Sequence, residues 1–158
     1  MMKSKFIVLI MIAFLGCKTY EGINVDLSQK KLKDKSIIKI KNIRNTKFID
    51  LSDNNFNNYP RFLSKAISLE KLFLGRNKID SIPASIGNLK NLRTLDLSAN
   101  PLVYLSPEIG KLKKLKYVLL RGDYKKKTIE NFRKLFCNNV KIIIYTELPN
   151  PYGLKNCN

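Results

Sequence analysis

Histidine is absent from the 158 residues, so the side chains with chemistry to offer are three cysteines, twelve carboxylates and thirty cations. Without imidazole there is no Ser-His-Asp or Cys-His catalysis, no His-containing zinc site and no ordinary general base near neutrality. Asp50 and Asp96 have no base or metal partner implied around them, and they are read as charges on an open strand surface, not as a catalytic pair. No catalytic residue, metal ligand set or cofactor is expected. The formal net charge of +18 biases the chain toward anionic partners without naming one. Two stretches concentrate it: Lys30-Lys31-Leu32-Lys33-Asp34-Lys35, running on to Lys39 and Lys41, and Lys111-Leu112-Lys113-Lys114 with Lys116, followed by Lys125 to Lys127. They read either as an anion-binding surface for lipid head groups, acidic glycan or nucleic acid, or as a solvated convex face.

The first cysteine has a context of its own. Lys3 and Lys5 precede ten unbroken apolar residues, Phe6 to Leu15, which are too few to span a bilayer and are followed by Gly16 and Cys17. A basic start, a short apolar run and a small residue before the break are the parts of a secretory signal peptide. Phe14-Leu15-Gly16-Cys17 resembles the bacterial lipoprotein lipobox, with Phe14 where Leu is usual. The resemblance implies cleavage before Cys17 and lipid attachment to it, with residues 1–16 as signal peptide and 17–24 as anchor and short linker. Export would leave Cys137 and Cys157 in an oxidising compartment, either as a disulfide or as two free thiols. It also argues against nucleic acid as a partner.

The elements that must position these residues repeat. Ile49-Asp50-Leu51-Ser52-Asp53-Asn54, Leu72-Phe73-Leu74-Gly75-Arg76-Asn77, Leu95-Asp96-Leu97-Ser98-Ala99-Asn100 and Val118-Leu119-Leu120-Arg121-Gly122-Asp123 follow one another at a single constant period. Phe56, Ile79 and Leu102 keep the register, as do Leu63, Ile86, Ile109 and Phe132. The pattern resembles the leucine-rich repeat, L-x-x-L-x-L-x-x-N-x-L followed by L-P-x-x-I-x-x-L, most closely from Leu69 to Leu115. It implies an α/β solenoid with a short curved parallel sheet on the concave face and an irregular, short-helical convex face. The expected domain spans 25–145, with a degenerate first repeat over 25–48, repeats starting at 49, 72, 95 and 118, and a helix-strand cap (128–137, then 140–145) before a tail at 146–158. Pro60 and Pro83 keep register whereas Pro107 falls one position late, which loosens the placement of the third return segment.

Strand alternation sends Leu72 and Leu74 inward and Lys71 and Phe73 outward. Asn54, Asn77 and Asn100 are expected to stack as a ladder that satisfies backbone groups where each coil bends. The outward rows are Phe48, Lys71, Thr94 and Tyr117; Asp50, Phe73, Asp96 and Leu119; and Ser52, Gly75, Ser98 and Arg121. Outward Phe73, Tyr117 and Leu119, with Arg121 at the edge, have the composition of a protein-binding hot spot, unless another segment folds over them. The expected function is therefore a lipid-anchored bacterial envelope protein, on the outer membrane or cell surface, that binds a protein partner through its concave face. The alternative is electrostatic adhesion to acidic glycan or an anionic membrane through the Lys clusters. An enzyme is not expected.

Overall fold

The computed structural model describes residues 17–21, 23–122, 126–136 and 141–145. Each period of the sequence forms one coil, because alternate apolar residues in a short strand can be buried only against the coils on either side. In chain order the strands are β1 (Cys17–Glu21), β2 (Asn24–Asp26), β3 (Ile37–Lys41), β4 (Phe48–Asp50) and β5 (Lys71–Phe73). They continue with β6 (Ser81–Ile82), β7 (Thr94–Asp96), β8 (Tyr104–Leu105), β9 (Tyr117–Arg121) and, after helix α1 (Lys126–Leu135), β10 (Lys141–Tyr145). The main sheet runs β10-β9-β7-β5-β4-β2, with every pairing parallel. Ile49, Leu72, Leu95 and Val118 lie side by side, so the period of the sequence is also the strand register.

The core lies between this sheet and the return segments. Leu51, Leu74 and Leu97 enter it from the strand ends, and Leu63, Ile86 and Ile109 enter from the 3-10 helices Arg61–Lys65, Ala84–Asn88 and Pro107–Lys111. Burying one such side chain contributes about 1.5–3 kcal/mol, so the interior file is the main source of stability. Pro107 does not displace the third return. Its helix starts in register, with Pro107 as first residue and Ser106 in the place held by Pro60 and Pro83. The Ser106 hydroxyl accepts from the Glu108 N–H at 3.3 Å, capping the turn that the late proline opens.

Asn77 shows how coils are joined at the bend. Its Nδ2 donates to the carbonyls of Leu74 and Gly75 in its own coil and to Leu51 in the preceding one, while its Oδ1 accepts from the Phe56 N–H. Asn100 repeats this toward Leu97, Ser98, Leu74 and Ile79, and Asn54 toward Leu51, Ser52, Leu27 and Leu32. The residue before each Asn takes a left-handed conformation: Asp53 at φ 55°, Arg76 at 53° and Ala99 at 52°. In the first coil, where Lys30 occupies the Asn position, the Lys30 N–H reaches forward to Asn54 Oδ1.

Two features differ from the sequence reading. The stretch 17–24, expected to serve as anchor and linker, includes β1 over Cys17–Glu21, paired in parallel with β3. The first coil returns through β3, followed by a short 3-10 turn at Ile43–Asn45, where later coils have a five-residue 3-10 helix, and β1 supplies partners for the backbone groups along that strand. At the other end α1 begins at Lys126, ahead of the expected Thr128, and ends at Leu135. Phe132 and Phe136 are buried against the last coil and Leu135 is half-buried. The approach is close at Gly110, where a Cβ would stand 2.8 Å from the Leu135 carbonyl oxygen. Cys137 and Cys157 lie outside the described residues, as do residues 1–16 and 146–158.

Asn77→Ala is expected to destabilise the protein by about 1–3 kcal/mol, since the buried Phe56 N–H loses its acceptor; an unchanged denaturant midpoint would refute the role given to the ladder. Gly110→Ala is expected to cost about 1–3 kcal/mol through overpacking and to speed amide exchange in α1 ahead of the central strands. Exchange that quickens uniformly would mean α1 is not what Gly110 accommodates.

Candidate binding face

The strands are three residues long at the centre of the sheet, so each exposes two side chains on the concave face with an inward one between them. Phe48 and Phe73 are both half-buried and meet edge-to-face, with ring centroids 5.2 Å apart and planes at 84°. Phe48 lies opposite Lys71, and Phe73 opposite Asp50 and Asp96, so the rings meet along the diagonal of the register. Sequence reasoning placed both rings outward and missed their contact. Its signal is their spacing, one period plus the step of two that keeps a strand face. Tyr117, 40% exposed, continues the row of Phe48 through Lys71 and Thr94, and Leu119 is half-buried on the same strand. Gly75 is buried beneath Asp96, whose carboxylate oxygen would be 3.3 Å from any Cβ there. Arg121 is exposed at the C-terminal end of β9.

A hollow of about 460 Å³ opens beside the ring pair, lined by Asn24, Lys47, Phe48, Glu70, Lys71 and Phe73. Its walls carry charge: Lys47 Nζ is 3.3 Å from one Glu70 carboxylate oxygen and Arg93 Nε is 3.7 Å from the other. The floor is aromatic and the rim ionic.

Asp50 and Asp96 are occupied locally. Each accepts, through Oδ1, the N–H of the serine two positions on, Ser52 and Ser98, both at 2.8 Å. Asp26 does the same with Ser28, whose N–H and then hydroxyl hold its carboxyl below the usual carboxylate range. These carboxylates turn the chain at the end of the strand. Among the described residues no group of three or more Cys, Asp and Glu side chains is placed to hold a metal ion.

On the convex side, where the strand return of the first coil meets the 3-10 return of the second, a groove of about 860 Å³ runs past Ser36, Ile38, Tyr59, Pro60, Phe62 and Pro83. Asp34 bridges its edge by accepting from the N–H groups of Asn57 and Asn58 and from the Asn58 amide. Burial opposes its charge, but these hydrogen bonds outweigh that and hold the carboxyl below its usual range. The Tyr59 hydroxyl is buried without a protein partner, and burial pushes its pKa up.

The two lysine stretches do not form one surface. Lys30 to Lys35 lie beyond the C-terminal ends of the strands, among Asp26, Asp34 and Asp53, whereas Lys111 to Lys116 lead into the N-terminal end of β9.

The family profile Leucine Rich repeats (2 copies) matches residues 67–107. A leucine-rich-repeat protein of Leptospira interrogans superposes with a TM-score of 0.57 at 30% identity, over 66% of this chain and 29% of that one. An internalin of Listeria monocytogenes, inlF, aligns at 15% identity over 78% of this chain and 42% of its own, with a TM-score of 0.41. The functional domain of InlJ from Listeria monocytogenes, which includes a cysteine ladder, aligns at 19% identity over 63% and 27%, with a TM-score of 0.35. The chain spans less than half the length of each. A search of curated proteins finds no match. The bends, the strand register and the matched segment give the chain the fold of leucine-rich-repeat proteins.

Proposed function

We propose that this chain is a bacterial envelope lipoprotein whose concave face binds a protein partner. The observation that carries the reading is the Phe48–Phe73 edge-to-face pair, held half-exposed at the centre of an open sheet with Tyr117 further along the row of Phe48. Half-exposed aromatic rings ringed by ion pairs gain most when a partner removes the remaining water from them. Lys71, Thr94 and Leu119 belong to the same contact, with Asp50, Asp96 and Arg121 at its border. Asp50 and Asp96 contribute by shape, since their carboxylates are engaged at the chain turn.

The anchor rests on the sequence: the basic and apolar order ending at Gly16-Cys17 supports lipid attachment to Cys17 and placement at the outer membrane or cell surface. A disulfide between Cys137 and Cys157 would tie the tail to the end of the cap helix, closing a loop worth roughly 3 kcal/mol.

Phe73→Ala and Tyr117→Ala are expected to cost about 1 kcal/mol or less in stability, because neither ring fills the core, and each to weaken capture of the partner by more than about 1 kcal/mol. Pull-down from envelope extracts with the wild type and the double variant, followed by titration against the captured protein, measures this. Unchanged binding by a folded double variant would move the site off the concave face. Cys17→Ser should transfer the protein from the membrane to the soluble fraction and abolish lipid labelling; normal processing and retention would refute the anchor.

A further inference from the structure

The charge of the solenoid is divided between its two lateral edges. Along the edge where the strands begin, Lys47, Glu70, Arg93 and Lys116 form one file, each backbone N–H donating to the carbonyl of the residue one coil before at 2.8 Å. Arg44, Ile67, Lys90 and Lys113 fall in the next file of the period, and Lys65 and Lys111 in a third. Of the acids on this edge, Glu70 is held between Lys47 and Arg93, and Glu108 is paired with Lys111 at 2.6 Å. Among the described residues no carboxylate pairs with Arg44, Lys65, Lys90, Lys113 or Lys116, and all five are exposed. At the opposite edge, beyond the strand ends, Lys30, Lys31, Lys33 and Lys78 are interspersed with Asp26, Asp34, Asp53 and Asp80.

From this separation we infer that the strand-start edge is a rail for a linear acidic polysaccharide lying along the solenoid axis. Parallel neighbours stand about 4.8 Å apart, so the rail, taken across its three files, offers at least one cation at each coil. An extended chain with a carboxylate or sulfate on successive sugars presents anions in the same manner, and stays in contact over all four coils. A planar membrane would meet so narrow an edge only along a line. The cations are mostly lysines, point charges on flexible stems, which suit anions of varied orientation better than the fixed fork of arginine does. Exposed Ile67, in the file between Arg44 and Lys90, adds an apolar contact for a sugar ring face. The rail borders the concave hollow through Lys47, Glu70 and Arg93, but its unpaired cations among the described residues, Arg44, Lys65, Lys90, Lys113 and Lys116, lie outside that hollow's lining.

Heparin is the probe, titrated against the full-length protein at several salt concentrations. The rail variant is Lys65→Gln/Lys90→Gln/Lys113→Gln. The control, Lys31→Gln/Lys33→Gln/Lys78→Gln, removes the same charge from the opposite edge. All six positions are exposed, and melting curves verify that both variants fold. The rail variant is expected to bind heparin at least tenfold more weakly, with a slope of log K against log salt smaller by about two, and the control to stay within twofold of wild type. Equal losses in both variants would mean attraction by net charge alone and would overturn the rail. So would absence of heparin binding at physiological salt, or phosphatidylglycerol vesicles that bind in a rail-dependent way while heparin does not.

Discussion

A chain that turns through a full coil once per repeat must bend at the end of each strand, and a bend packed against neighbours leaves amide and carbonyl groups facing the interior. The rest of this structure depends on satisfying them. One asparagine amide does so because it offers two donors and an acceptor in a single plane, at a length that reaches its own strand end and the adjacent coil together. No other side chain of that size has both halves. The left-handed residue before it, Asp53, Arg76 or Ala99, aims the amide inward, and its N–H is held by a carbonyl of the next coil, which supports a conformation that ordinarily suits glycine. The Arg76 N–H, for example, donates to the Ser98 carbonyl at 2.8 Å. Bend geometry and coil stacking are thus one constraint, and neither survives without the other.

Once the bends hold the coils in register, inward and outward positions are decoupled. Leu72 and Leu74 must stay apolar, whereas Lys71 and Phe73 beside them answer only to what they meet across the sheet. The D-L-S segments at 26–28, 50–52 and 96–98 show the limit of that freedom. There an outward aspartate is drawn back into the chain turn, and Gly75 leaves the space that the Asp96 carboxylate needs. The middle repeat, with Phe73 in place of aspartate, gives up this local turn contact and gains a ring that Phe48 can meet. The departure from the D-L-S pattern is what makes the surface aromatic.

The period made the main sheet legible, because an inward residue recurring at a constant interval fixes strand, face and register at once. The Asn positions were legible for the same reason. Less could be read where backbone pairing does not follow side-chain pattern. The pairing of β1 with β3 falls in the degenerate first coil and sets Cys17 against Ile37, a spacing shorter than the period. The two-residue β6 and β8 leave too short a trace to distinguish from irregular chain. Pro107 misled as a register mark because proline suits both the position before a helix and the first position within it, and Ser106 serves equally well as the residue before. The contact between Phe48 and Phe73 was hidden by reading the face in rows, since a twisted sheet brings diagonal neighbours within reach of each other when the side chains are long.

A solenoid has two ends as well as two edges, and the ends here are closed by different means. At the first coil a strand return exposes backbone, and β1 covers it by pairing. At the last coil the exposed surface is side chain, and α1 covers it with Phe132 and Phe136 while β10 extends the sheet by one strand. Each closure leaves the concave face open, because both covers attach at the ends or along the convex return. Among the described residues no segment covers the lateral edges, so every coil can contribute to them. Charge that accumulates at one period position is therefore multiplied along the axis, and the scarcity of acids in the strand-start files carries more weight than the overall excess of lysine. With Glu70 and Glu108 already paired, that edge has little left of its own to neutralise it.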